Sequence, residues 1–197
     1  LDTESKTEDL LNAIGQRPEL RAMARNPYLL TLMSQLHLRR TLPSGRAELF
    51  EEFVRELLIE MEAQKLRETS GRAEAGTVAD TLPGLLERVG RNMEGLRLVL
   101  SRLAWRAHQA GKSEEEGSLT HEDLVSALAQ LPKAKDYSED FRKDWARRVV
   151  AVIEHRTGLL VGNGGGQYAM AFKLQEYMTA LHFTDRDTFP RIDEALA

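Results

Sequence analysis

The sequence contains no cysteine, so neither a disulfide nor a thiolate zinc site can form. No apolar run approaches the ~18 residues that a membrane-spanning helix needs. The first residues lack the basic-then-apolar order of a secretory signal. A cytoplasmic protein with no membrane partner is therefore expected. Cationic excess is missing as well. The net charge of -4 argues against general nucleic-acid affinity and leaves only a local basic patch open. No G-x-x-x-x-G-K-S/T segment is present, so the chain has no P-loop for phosphates. The five histidines, His37, His108, His121, His155 and His182, never fall three to five residues apart, which removes the common zinc spacing. They read as surface or rim residues. Nothing resembles the sharp strand-to-helix turn of a nucleophilic serine. No catalytic centre and no metal site are expected.

What remains is a helical text. Apolar residues make up 42% of 197, enough to build the core of one large or two small domains. A first helix is expected over 5–15, with Ser5 and Glu8 as a capping box and Leu10, Leu11 and Ile14 as its stripe. A second follows from Pro18 and breaks at Asn26-Pro27, because proline disfavours helical geometry in the residue before it. A third starts at Pro27, with Leu29, Leu32, Met33 and Leu36 facing inward and Leu30 and Leu38 widening the buried side. The most regular stripe, Leu49, Phe50, Phe53, Val54, Leu57, Leu58 and Met61, predicts a helix over 45–66 with Ser44 as N-cap. Periodicity then lapses over 67–80, which reads as a linker or mobile loop.

Helical spacing returns over 82–89 and again from Leu96 to Ala107. Thr120 and Asp123 form a second capping-box pattern, opening a helix that stops at Pro132. A longer helix is expected over 138–157 with Phe141, Trp145, Val149, Val152 and Ile153 inside, ending at Gly158. Two short apolar runs, 159–161 and 167–172, flank Gly162-Asn163-Gly164-Gly165-Gly166 and read as a hairpin with a loose tip. The second run alternates, placing Tyr168, Met170 and Phe172 on one face. Another helix follows, with Leu174, Tyr177, Met178 and Leu181 inside. Helix, hairpin, helix is the latter half of a winged helix. The expected fold class is mainly α: a small helical bundle over 1–66, a winged-helix domain over 81–184 with one β-hairpin, and the start of a further helical region over 185–197.

The helix before the hairpin is rich in cations: Arg142, Lys143, Arg147, Arg148, His155 and Arg156. In a DNA-binding winged helix this element enters the major groove, and Arg147 and Arg148 would be its contacts. Against that, the glycine-rich tip carries no Lys or Arg to hold a phosphate. A surface helix whose basic side packs against an acidic neighbour or faces solvent is the simpler account.

Two segments resemble a known family. Asn26-Pro27-Tyr28-Leu29-Leu30-Thr31-Leu32, followed by Leu49-Phe50-Glu51-Glu52-Phe53-Val54, is similar to a motif of NACHT-type NTPases of the STAND class. Arg156-Thr157-Gly158-Leu159-Leu160-Val161, with Tyr168, Phe172 and Gln175-Glu176-Tyr177, looks like the ending of their winged-helix domain. The resemblance covers about residues 8–184. It implies a nucleotide-gated switch in which ATP or ADP with Mg is held elsewhere, by a P-loop domain. The implied partners are that domain and a C-terminal sensor region, with oligomerisation on activation. By this resemblance the chain reads as an excised piece of such an ATPase, used in signalling or antiphage defence, with no catalysis of its own. Pro27 matches the family proline that lies against adenine, although a helix-starting proline serves the same position. Phe172 stands where the family has a phosphate-reaching His, and it has no donor for a phosphate. Tyr177 is expected in the core. The alternatives are a winged-helix DNA-binding regulator and a helical protein-interaction adaptor.

Overall fold

Every described apolar stripe finds a buried side in the computed structural model, which describes residues 3–60, 81–110, 118–132, 137–170 and 172–184. The chain divides into two compact units, Leu1–Glu56 and Leu57–Ala197. The segment read as a linker, 67–80, and the tail 185–197 lie outside the described residues.

In the first unit, α1 (Thr3–Gln16), α2 (Pro18–Ala24), α3 (Pro27–Arg39) and α4 (Arg46–Arg55) pack in sequence. Asn26 caps α3 by accepting from the Tyr28 and Leu29 amides, and Pro27 occupies the first turn, where a missing N–H costs nothing. Leu20, Leu29, Leu32, Met33, Leu36, Leu49, Phe50 and Phe53 form the core, with the Phe50 and Phe53 rings edge to face at 5.8 Å. Arg39 pairs with the buried Glu56 at 3.2 Å and Arg40 with Glu52 at 2.6 Å, tying the end of α3 to α4 and the turn after it.

Several local expectations are corrected here. Helix α1 begins at Thr3, so Ser5 lies inside it and cannot act as its N-cap. Gly45, not Ser44, is the N-cap of α4, and no side chain caps that end. Leu11 of the first-helix stripe is exposed, and so are Leu30 and Leu38, because the third-helix stripe is satisfied by four residues and these two fall outside it. The helix expected over 45–66 changes after Arg55 into a π-helical turn, Glu56–Glu60, and 61–66 lie outside the described residues. A π turn shifts the helical register, and here three consecutive residues, Glu56, Leu57 and Leu58, are all buried.

The second unit runs α5 (Leu82–Arg88), α6 (Met93–Ala110), β1 (Leu119–Thr120), α7 (His121–Leu128), α8 (Glu139–Val152), β2 (Leu160–Gly164), β3 (Gln167–Met170) and α9 (Phe172–Phe183). A π-helical turn, Ile153–Thr157, extends α8. The three strands form an antiparallel sheet in the order β1-β3-β2. Helix, strand, helix, helix, strand, strand is the order of a winged helix, and α9 lies along α6 behind it. Strand β1 was not expected, since two residues are too few to show a period. The Trp145 indole donates to the Leu85 carbonyl at 2.8 Å in the interior, fastening α5 to α8. The Tyr137 hydroxyl donates to the Arg88 carbonyl at 2.9 Å, and its ring stacks on Phe141. Phe141 is exposed rather than buried, because this stack at the mouth of α8 holds it outside. Tyr177 is half-buried, and burial raises its phenol pKa. His182, expected at the surface, is buried at the end of α9 beside Phe183.

Candidate functional site

The hairpin is anchored from the helix that precedes it. Thr157 is fully buried; its hydroxyl donates to the Ile153 carbonyl at 2.7 Å and accepts from the Leu159 amide at 3.1 Å. One side chain therefore closes the π turn and launches β2. Gly158 sits between at φ +71, the left-handed conformation that ends a helix without a Cβ penalty. Leu160 and Met170 then pair across the hairpin, both buried.

The wing tip is not loose. Strand β2 continues to Gly164, with a bulge between Gly162 and Gly164, so that the turn proper is only Gly165-Gly166. Gly164, Gly165 and Gly166 all have positive φ, which explains the glycine run. The tip is tied to the start of α7, where the His121 amide donates to the Gly166 carbonyl at 2.9 Å. The side chains of Ser118 and Gln167 meet at 3.2 Å beside it.

Beneath the tip lies a polar knot that draws on three elements. The Tyr168 hydroxyl donates to Glu154 Oε2 at 3.1 Å, and His121 Nδ1 lies 3.3 Å from the same phenol oxygen. The single phenolic proton is committed to Glu154, so the phenol oxygen accepts from His121, which places a proton on Nδ1. Burial raises the Tyr168 pKa, and the Glu154 hydrogen bond and charge raise it further. His155 Nε2 lies 3.9 Å from Glu154 Oε2 at the edge of the knot. Sequence reading singled out Tyr168 but missed Glu154, His121 and Thr157. Tyr168 follows Glu154 by fourteen residues across a turn, a separation that leaves no local pattern.

On α8, the two arginines proposed as DNA contacts differ. Arg147 pairs with Asp144 one turn away at 2.6 Å, and Lys143 pairs with Glu139 at 2.6 Å. Arg148 is exposed. The wing tip, Gly162 to Gly166, is exposed and carries no cation. Half the apparent basic character of α8 is thus answered by its own carboxylates.

Residues 46–183, more than half of the chain, match a family described as the winged helix-turn-helix domain C-terminal to NACHT. The chain belongs to this family. Among curated proteins and solved structures, none matches it. In this NACHT-associated winged helix, the helix-turn-helix is α7 and α8 and the wing is β2–β3.

The two positions raised by resemblance to the NTPases belong to different units of the chain. Pro27 is exposed at the first turn of α3, in the first unit. Beside it the Tyr28 hydroxyl is buried without a partner among the described residues, and burial pushes its pKa up to about 12. Phe172 is the first residue of α9, and its side chain lies outside the described residues. Among the described residues no group of three or more His, Asp or Glu side chains is placed to hold a metal, and no helix is long and apolar enough to cross a membrane.

Proposed function

We propose that the chain is the regulatory helical and winged-helix part of a NACHT-type ATPase, acting as a nucleotide-gated switch without catalysis of its own. In this reading a P-loop domain of the parent protein holds ATP or ADP with Mg, and a sensor region delivers the trigger. The setting is cytoplasmic, in signalling or antiphage defence, with oligomerisation on activation. The observation that carries the reading is the family membership. The architecture of the wing supports it. A tip of glycines bonded back to α7, over a knot of Tyr168, Glu154 and His121, suits a packing element better than a phosphate grip. A switch needs an element that exchanges one discrete arrangement for another, and in this reading the hydrogen-bonded knot is that element. The exposed ring of Pro27 is the proposed adenine contact; Phe172 offers a phosphate no donor.

The test is hydrogen exchange on the product of the whole parent reading frame, loaded with ATP or with ADP. Protection of Glu154–Tyr168 should differ between the two states, and Pro27→Ala should weaken nucleotide retention. A parent frame without a P-loop, or identical exchange in both states, would end this reading. Nucleotide-independent capture of a protein partner would favour the adaptor instead.

A further inference from the structure

A second polar feature lies away from the wing, in the cleft between α6 and α7. The cleft has a volume of about 180 Å³ and an apolar floor of Val99, Leu103 and Ala127. Its polar lining is Arg102 and Arg106 from α6, with Ser126 and Gln130 from α7 and the turn that follows it. The two arginines stand four residues apart on one exposed helix face. Like charges at that spacing destabilise a helix, so the pair carries a local cost. Among the described residues, no carboxylate lines the cleft. Arg106 helps to lower the pKa of Asp123, but that carboxylate is already held by the side chain and amide of Thr120.

We propose that this cleft binds a phosphate group. Guanidinium groups recognise phosphate and carboxylate alike by paired N–H donors. Here the remaining donors, a hydroxyl and a carboxamide, come from the other wall of the cleft. Donors on two walls suit a tetrahedral anion, which accepts around its whole surface, better than a planar carboxylate. The volume holds one phosphate group, and the rest of a larger ester would extend outside the cleft. The proposal does not depend on the switch reading, since the cleft shares no residue with the wing or with Pro27. Inorganic phosphate and a phosphate ester are the two sources of this chemistry.

The chain, isotope-labelled, is titrated at constant ionic strength with inorganic phosphate, pyrophosphate, ATP and, separately, glutarate, while amide shifts are followed by NMR. Saturable shifts confined to α6 and α7 are expected with at least one phosphate compound, and none with glutarate. Saturation by inorganic phosphate identifies the free anion as sufficient, whereas saturation by ATP alone identifies an ester. Arg102→Gln with Arg106→Gln should weaken binding about tenfold or more, as expected for losing charge-assisted hydrogen bonds. Arg88→Gln, which removes an exposed cation elsewhere, should leave it unchanged. Circular dichroism of the double variant checks its fold. Shifts that never saturate, that glutarate reproduces, or that persist in a folded double variant overturn the proposal.

Discussion

Thr120 and Asp123 show how much one pair of side chains settles. Thr120 Oγ1 accepts from the Asp123 amide at 3.1 Å, and the Asp123 carboxylate accepts in return from the Thr120 amide at 3.1 Å and its hydroxyl at 2.6 Å. The box starts α7 at the residue where β1 ends, so it also fixes where the sheet meets the helix-turn-helix. Hydrogen bonds from the Thr120 side chain and then its amide hold the Asp123 pKa below the usual carboxylate range, with a smaller push from Arg106. A lowered folded pKa stabilises the fold above the unfolded value near ~3.9 and loses that stabilisation as pH falls through the folded value. Thr120→Ala should cost about 1 kcal/mol at neutral pH. Asp123→Ala should cost less than about 1 kcal/mol, since the group is exposed and screened. Urea midpoints of wild type and Asp123→Ala should converge as the pH is lowered from 6 toward 2. A gap that stays constant over that range would mean that the carboxylate charge contributes nothing.

At the scale of elements, what was legible tracks the range of the forces involved. The Thr120 box, the Asn26-Pro27 start of α3 and the Gly158 stop are local chemistry, written in adjacent residues, and the structure has them where the sequence places them. The exposure of Phe141, the burial of His182 and the two π turns are settled by side-chain packing and capping, and a stripe pattern does not hold that information. The wing shows both. Alternation in β3 announces Tyr168 and Met170 as the inward residues, while the His121 and Glu154 partners of Tyr168 emerge only when the hairpin folds against α7 and α8. Gly158 isolates one local contribution. A Cβ built there meets nothing within 4 Å, so packing does not forbid a larger residue and only the backbone conformation resists it. Gly158→Ala should therefore destabilise by roughly 1–2 kcal/mol, and Gly158→Asn by less, because Asn tolerates the left-handed region. Chemical denaturation of the two variants checks the order. Equal losses would point to a hidden steric clash instead.

For the whole molecule, the deciding quantity is where the charge sits. The chain carries 31 acidic residues against 27 basic ones, so long-range attraction to a polyanion is absent from the start. A winged helix that reads DNA offsets such a balance with cations on the recognition helix and the wing, because each phosphate contact adds counterion release. Here Arg147 and Lys143 are engaged by Asp144 and Glu139, and the wing tip carries no cation. Arg148, exposed, and Arg142, half-buried, remain on α8, and two cations give little salt-dependent affinity. At about 50 mM salt, where phosphate contacts are strong, duplex DNA should show no binding in a fluorescence-anisotropy titration. Arg147→Glu combined with Arg148→Glu should leave that baseline unmoved. Binding that is present at low salt, survives moderate salt and collapses in the double variant would make α8 a recognition helix. The carboxylates beside it would then have to release their cations on contact with DNA, and the switch reading would give way to a DNA-binding regulator.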